Sequence, residues 1–539
     1  MTREILERKR FTIEDQERFA RLSGDRNPLH MDPVAARRTQ AGAPVVHGIH
    51  TLLWFLDVLS RKHPDLPPFG TVNVRFEKLL YVGETAEAIV THCDASGVRA
   101  EVTAAGTLVV RVTGTFGKPK PPNPTVADTE MPVQRPLLPA ELSLKEIAGR
   151  TGRVGFAGSP GEIARAFPDA ARAWGERRVA AFACCTYLVG MVCPGLHSIF
   201  GGLVLTRCEE ADERDAISFR VTLSDPRFRL VRMEISGGGL AGNLETFVRQ
   251  PPVAQAGMAE LAGRITPGEF AGTTALIVGG SRGLGELTAK ILAAGGAQVL
   301  ITYAAGQADT ERVRDGMTTQ GGNCEMLHYD VRAPAGAQLV NLAKEPAELY
   351  YFATPAIFRR KTGVFAQDKF NDFFLFYVTG FYDLCQMLCR RRSQGISAFY
   401  PSSTAVETRP AGMTEYAMVK AAGEILCTDM MAYETRIHIT IKRLPRLPTD
   451  QTATLMQAEA ADPVEVIVPI VREVHARSDA RSKQRPVNAA TSSASQSVVF
   501  GSCDASPEEL PTRDRLDAGD PADDEIRCLA HDTRRDTLG

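Results

Sequence analysis

The sequence predicts an α+β N-terminal half made from one unit used twice. An α/β half with an open, doubly wound parallel sheet follows, and then a polar tail. Three observations predict this. An apolar helix followed by alternating segments occurs twice before residue 250. From residue 271, apolar β-rich runs alternate with helical stretches, the rhythm of βαβ units. Near Arg477 the composition shifts to Ser, Ala, Asp, Arg and Pro with a single short apolar run, SVVF, too little to build a core.

In the first block, residues 1–122, a short amphipathic helix is expected over Ile13 to Leu22, then a polar loop and an apolar helix beginning near Gly48. The segments TVNVRFEKL, AEAIVTHCD, RAEVTAAGTL and VVRVTGTF alternate as antiparallel strands do. A proline-rich linker, Gly117 to Pro136, leads to the second block, residues 137–250. That block repeats the order, with an apolar helix over Val179 to Cys193 and then GGLVLTRCE, AISFRVTLS, RLVRMEIS and LETFVRQ. A second linker is expected from Gln250 to Phe270. The third block, residues 271–476, holds TALIV, AQVLITY, ELYYFA and ISAFYP, and residues 477–539 read as a disordered tail.

At about 150 residues per domain, 539 residues suit three or four modules. Hydrophobic residues at 44% and charged residues at 23% are those of an ordinary globular protein. A net charge of -2 without a basic run removes the electrostatic footprint of a nucleic-acid binder. Val179 to Thr206 carries no Asp, Glu, Lys or Arg, yet Pro194, Gly195, His197 and Ser198 interrupt it, so no membrane span is expected. Eleven Cys without a C-x-x-C pair indicate neither zinc nor a disulfide framework, and no metal is expected. Unpaired thiols and a charged N-terminus without an apolar core point to the cytoplasm.

The loop SGDRNPLHMDP (Ser23 to Pro33) and the turn PVVHGIH (Pro44 to His50) carry the first candidate site. Asp25 and His30 are a carboxylate and an imidazole close enough to hold a water jointly and move its protons. Gly48 opens a helix, whose free N–H groups and dipole favour a developing negative charge. Asp, Asn, Pro and Gly are also ordinary turn residues, which is the plainer reading. The pattern resembles the (R)-specific enoyl-CoA hydratases of the MaoC-like hot-dog family. Asp25, Asn27, Pro28, His30, Asp32, His47 and Gly48 all match, and VNVRFEKLLYVGET extends the likeness. The resemblance implies that Asp25 and His30 activate water and that the Gly48 N–H binds the thioester carbonyl. The second block lacks the motif, and its His197 has no carboxylate nearby in sequence, so a packed structural histidine is expected. That block is then a degenerate repeat completing a double hot-dog and lining the acyl pocket.

The second candidate site begins with VGGSRGLG (Val278 to Gly285), lodged between the strand TALIV and the helix ELTAKILAAG. Glycines there let a backbone approach a pyrophosphate at a helix N-terminus. Tyr416 and Lys420 share one helix face, and Ser403 ends the strand ISAFYPSS. Together they resemble the short-chain dehydrogenase/reductase family, with its Rossmann-like sheet. The resemblance implies that Ser403 orients a carbonyl, Tyr416 donates a proton and Lys420 lowers the Tyr pKa and binds the nicotinamide ribose. It assigns the cofactor to Gly279, Ser281, Arg282, Gly283, Leu284, Gly285, Asp330, Val331, Ala353 and Thr449, with Asp330 at the adenine. Strand two ends in ITYAAGQ with no acid for a ribose 2′-hydroxyl, and Arg282 can pair with a 2′-phosphate, so NADPH is favoured. FATP (Phe352 to Pro355), Tyr377 in FYVTG and LPRLPTD (Leu444 to Asp450) depart from the family pattern, and no strand with a terminal G-G pair closes the domain before the polar tail.

Both sites suit one metabolite. The expectation is a homodimeric, bifunctional enzyme that reduces 3-ketoacyl thioesters with NADPH and dehydrates the (R)-3-hydroxyacyl product. The acyl group would ride on CoA or an acyl carrier protein, in fatty-acid or polyketide-type assembly. Two alternatives stay open: the same steps run oxidatively, as in β-oxidation, or a working hydratase beside a non-catalytic nucleotide-binding module.

Overall fold

β1 (Glu4–Arg10) is a strand that hydropathy alone does not reveal: EILERKR is mostly charged and buries only Leu6. It forms an edge of the sheet, pairing with β3 on one side, so charge on its exposed positions costs nothing. In the computed structural model the described residues are 3–121, 131–209, 215–340, 342–358, 363–453 and 460–483. Nearly all of the expected tail lies outside them. Residues 1–485 form one compact unit.

The first repeat continues with α1 (Ile13–Ser23), α2 (Pro28–Met31), α3 (Pro33–Ala36) and α4 (Gly48–Lys62). Then come β2 (Phe69–Phe76), β3 (Thr85–Cys93), β4 (Gly97–Ala104) and β5 (Thr107–Phe116). In α4 every residue from Ile49 to Leu59 is buried, the signature of a helix wrapped on all sides. The second repeat adds β6 (Val133–Gln134), β7 (Thr151–Gly155), β8 (Ser198–Arg207), β9 (Ala216–Asp225), β10 (Leu230–Gly237) and β11 (Leu240–Val248). Its central helix, Glu176–Tyr187, runs directly into a π-turn at Leu188–Val192, and Arg178 through Val192 are buried.

The two repeats share one eleven-stranded sheet, ordered β1-β3-β4-β5-β2-β8-β11-β10-β9-β7-β6. Antiparallel pairing of β2 with β8, from Thr71 opposite Thr206 to Arg75 opposite Gly202, makes the seam. One hydrophobic core runs under both repeats, joining Phe55 and Leu52 of α4 to Phe182 and Leu188. This is the double hot-dog.

The third block contains β12 (Thr274–Val278), β13 (Gln298–Tyr303), β14 (Asn323–His328), β15 (Glu348–Tyr351), β16 (Ile396–Ser403) and β17 (Ile437–Leu444). All pair in parallel, in the order β14-β13-β12-β15-β16-β17. The order reverses beside β12, the switch point at which open α/β sheets form their ligand crevice. No further strand joins this sheet among the described residues.

Two expectations need correction. The stretch from Gln250 to Phe270 is no loose linker, because Leu261, Ile265 and Phe270 are buried in the core of the parallel-sheet half. The tail does not start at residue 477: a helix spans Pro463–Lys483 and packs on the Gly283–Ala294 helix. It is held by the pair of His475 Nδ1 with Glu348 Oε1 at 2.8 Å, and Glu348 is wholly buried. His197 is buried, and its Nε2 lies 3.1 Å from Oε1 of Glu141, a carboxylate distant in sequence that the fold brings to it. Among the described residues no helix is long and apolar enough to cross a membrane.

Candidate active sites

The first site is built by local chain geometry. α1 ends on Gly24 in the left-handed region, which drops the chain into the loop carrying Asp25. α2 and α3 each open on a proline and are capped by the side chain before it. Asn27 Oδ1 accepts from the Leu29 N–H at 3.1 Å, and Asp32 Oδ1 accepts from Val34 at 2.8 Å and Ala35 at 3.1 Å. Asn27, Pro28 and Asp32 thus hold the two helical turns, the first of which carries His30.

Asp25 is 1% exposed. Its Oδ1 accepts from the Asn27 N–H at 3.1 Å, and its Oδ2 accepts from the Thr186 hydroxyl at 2.7 Å. Thr186 belongs to the central helix of the second repeat. The Asn27 amide donates to the carbonyls of Gly190, Gly195 and Leu196 in that repeat, at 3.0, 3.3 and 3.2 Å. Gly190 sits so close that any Cβ there would strike the Asp25 carboxylate. The repeat without the motif is therefore a wall of the first site.

His30 Nδ1 lies 2.8 Å from the Val45 carbonyl. A carbonyl only accepts, so Nδ1 carries the proton and the neutral ring keeps the Nε2 lone pair free. The His47 ring stacks on His30 with centroids 3.8 Å apart. His47 Nε2 is 3.1 Å from the Asp25 carbonyl and Nδ1 is 3.0 Å from Gln16 Oε1. One polar atom each of Asp25, His30 and His47 lies within 4.8 Å of the others. Burial raises the Asp25 pKa, against the pull of His30, Thr186 and Asn27. Burial lowers that of His30, against the pull of Asp25. Burial thus raises the proton affinity of Asp25 and favours the neutral form of His30, whose Nε2 can accept a proton. The Gly48 N–H, at the start of α4, has no acceptor among the described residues. The sequence pattern named Asp25, His30 and Gly48 as candidates and did not single out Thr186 and Gly190, which the fold sets against Asp25. The only available signal was a Thr and a Gly inside an otherwise apolar helix.

In the second site Gly279 and Gly283 take φ of 82° and 57°, the left-handed region that lets the backbone turn between β12 and the Gly283–Ala294 helix. Ser281 is buried in that turn, and Leu284 and Gly285 form the first helical turn. Ala353 lies beside Gly279, and Thr449 stands over Gly283. Val331 is buried behind Asp330, whose carboxylate is held by Arg332 at 2.6 Å. The Arg282 guanidinium donates to the Arg37 carbonyl at 2.8 Å and to Asp450 Oδ2 at 3.3 Å. It is thus already engaged, and by a residue of the first repeat.

Ser403 ends β16, and Tyr416 and Lys420 lie one turn apart on the Thr414–Tyr433 helix. Burial raises the Tyr416 pKa and a hydrogen bond with Ser403 pulls it back. Lys420 Nζ donates to the Pro401 carbonyl at 2.6 Å and lies 3.7 Å from the Tyr377 ring centroid. Burial draws Lys420 down to about 7. The Tyr377 hydroxyl hydrogen-bonds the Thr354 hydroxyl. Two departures seen separately in the sequence, FATP and FYVTG, therefore touch, and together they floor the Lys420 ammonium with an aromatic face.

The comparisons agree with this division. The family described as MaoC like domain matches residues 2–113, and the family described as short chain dehydrogenase matches residues 273–462. The chain is 40% identical over 76 residues to the peroxisomal multifunctional enzyme type 2 of Drosophila melanogaster, covering 14% of this chain and 13% of that relative. It is 37% identical over 89 residues to the (R)-specific enoyl-CoA hydratase of Aeromonas caviae, covering 15% of this chain and 64% of the relative. Among solved structures it is similar to a 3-oxoacyl (acyl-carrier-protein) reductase from Agrobacterium tumefaciens with NADP bound. That match has 19% identity and a TM-score of 0.35, and covers 38% of this chain and 88% of that one.

Proposed function

For a chain that joins a MaoC-like domain, residues 2–113, to a short-chain dehydrogenase domain, residues 273–462, we propose a bifunctional enzyme of acyl thioesters. It reduces a 3-ketoacyl thioester and dehydrates the resulting (R)-3-hydroxyacyl thioester. The observation that carries the reading is the buried Asp25 carboxylate with the half-buried His30 imidazole within 4.8 Å of it, together with the Gly48 N–H at the start of α4, which has no acceptor among the described residues. In hydration, the Asp25 carboxylate and His30 Nε2 hold one water and take its proton as its oxygen attacks the β-carbon, and that proton is then returned to the α-carbon of the resulting enolate, completing the 3-hydroxyacyl thioester. The Gly48 N–H steadies the negative charge on the thioester oxygen. Dehydration runs the same contacts in reverse.

In the dehydrogenase half, the left-handed glycine turn at a helix N-terminus and Thr449 above it suit a nicotinamide cofactor, NADPH in preference. When bound, the cofactor supplies the hydride. Ser403 donates a hydrogen bond that orients the ketone oxygen, and Tyr416 passes its phenolic proton to that oxygen. The positive charge of Lys420 stabilises the phenolate left behind. The same reading takes the acyl group on CoA or an acyl carrier protein, and a cytoplasmic homodimer.

Asp25→Asn should lower crotonyl-CoA hydration by at least a hundredfold and spare reduction of acetoacetyl-CoA. Tyr416→Phe should do the reverse. Full hydration by the Asp25 variant would remove the first site from the mechanism. One observation favours a second reading: the Tyr377 ring lies against the Lys420 ammonium, near which a proton relay would be needed. A protein that binds NADPH, hydrates crotonyl-CoA and reduces no 3-ketoacyl-CoA would select a nucleotide-binding module without turnover.

A further inference from the structure

The residues between the first site and α4 lead directly to the mouth of the other half. Arg37 and Arg38, just past α3, reach Asp309 in the first turn of the Gln307–Thr318 helix. Arg37 Nη2 donates to Asp309 Oδ2 at 2.8 Å and Arg38 Nη1 donates to Asp309 Oδ1 at 2.9 Å. Arg38 Nε also lies 3.7 Å from Asp450 Oδ2, the oxygen that Arg282 contacts. The Arg37 guanidinium rests on Gly306, where any side chain would collide with it.

This is a charged cluster of defined place and imbalance. Three guanidiniums, of Arg37, Arg38 and Arg282, face two carboxylates, of Asp309 and Asp450. One positive charge is left over in a setting where the arginine side chains are only 19%, 22% and 21% exposed. Among the described residues the buried Nε atoms of Arg37 and Arg38 make no hydrogen bond, Arg38 Nε having only the Asp450 carboxylate at 3.7 Å. A buried guanidinium N–H without an acceptor is costly, and an anion removes the cost. The cluster also lies where a dinucleotide places its adenosine ribose. It borders the glycine turn through Arg282 and lies just beyond Tyr303, the last residue of β13. In doubly wound folds the ribose 2′-position is read at the end of that second strand.

We propose that Arg37 and Arg38, residues of the hydratase half, form with Arg282 a composite site for the 2′-phosphate of an adenine dinucleotide. The 2′-phosphate would take the place of the Asp309 carboxylate in the two guanidinium forks. Specificity for the phosphorylated cofactor would thus be written partly in the neighbouring repeat and not in the dehydrogenase sequence alone. The proposal rests on the nicotinamide reading above.

The test uses the full chain and two fragments, 2′,5′-ADP, which carries the 2′-phosphate, and 5′-AMP, which does not, with affinities from titration calorimetry. Wild type should bind 2′,5′-ADP at least tenfold more tightly than 5′-AMP. Arg37→Ala and Arg38→Ala should each cut that ratio about tenfold and leave 5′-AMP within twofold. Asp309→Asn, which removes the competing carboxylate and no cation, should tighten 2′,5′-ADP several-fold. That gain cannot come from misfolding, so it decides the matter if the arginine variants are insoluble. Equal binding of the two fragments to wild type overturns the proposal and leaves the nucleotide site standing. Binding of neither overturns the nicotinamide reading and the proposal with it. A preference that survives both alanine variants and falls only with Arg282→Ala, or equal loss of both fragments in the arginine variants, shows the cluster to be a structural joint between the halves.

Discussion

Removing the Thr186 hydroxyl leaves Asp25 Oδ2 without its 2.7 Å donor in a buried place. A hydrogen bond to a carboxylate contributes about 1.5–3 kcal/mol. Its loss should raise the Asp25 pKa further, since Thr186 is one of the groups holding it down. Thr186→Val is therefore expected to lower hydration roughly tenfold to a hundredfold near neutral pH. The acid limb of its pH–rate profile should move to higher pH with KM little changed; an unmoved limb would deny Thr186 this positioning role. Lys420 offers a test of opposite sign. Its folded pKa, drawn to about 7 by burial, lies below the unfolded value, so the unfolded chain binds more protons between about pH 7 and 10. Stability of the dehydrogenase half should rise across that window. Lys420→Met, which abolishes reduction under the proposed mechanism, should raise the thermal midpoint at pH 7, and less so at pH 10. Much of the candidate site was legible in the motifs. Asp25 and His30 could be read because Asn27, Pro28 and Asp32 announce tight turns, each with its own cap. Thr186 and Gly190 could not, because their proximity to Asp25 comes from sheet pairing across the seam and leaves no local trace.

The helix Pro463–Lys483 shows where element boundaries escape the sequence. Its C-terminal stretch HARSDARSK is polar and reads like the tail beyond it. The stretch stays helical because Val471 and Val474 bury and His475 reaches the buried Glu348, which also accepts from the Tyr350 hydroxyl at 2.8 Å. Glu348 raises the His475 pKa above its ordinary value. The pair's stabilisation is thus present in full below about pH 6.5 and lost as pH rises through the raised value. His475→Ala strands a buried carboxylate, and breaking such a pair costs about 3–5 kcal/mol. Urea unfolding at pH 6 should show that loss, and it should shrink at alkaline pH; equal loss at both would assign the effect to packing against Phe270 alone. β1 escaped for a related reason, since an edge strand needs little apolar content. The long apolar helices at Gly48 and Val179 were legible because a helix buried on every side has no polar face to confuse the reading.

At the scale of the whole molecule, repetition and rhythm were enough to divide the chain, but not to say how its parts touch. The duplicated order of elements foretold two hot-dog repeats; only pairing of β2 with β8 fuses them into one sheet. The βαβ rhythm foretold a parallel sheet; only three-dimensional proximity brings Arg37 and Arg38 to Asp309. The short stretch from Asp25 to Arg38 thus belongs to two machines at once, with its first residue in one and its last in the other. Such a chain resists being treated as a set of interchangeable cassettes. Exchanging the dehydrogenase half for a foreign one would set Arg37 and Arg38 against a surface without their two aspartates, while keeping the half and exchanging its neighbour would leave Asp309 and Asp450 facing nothing of opposite charge but Arg282. An engineer, or a lineage, wishing to recombine this protein would have to cut on the far side of the arginines or carry the aspartates along.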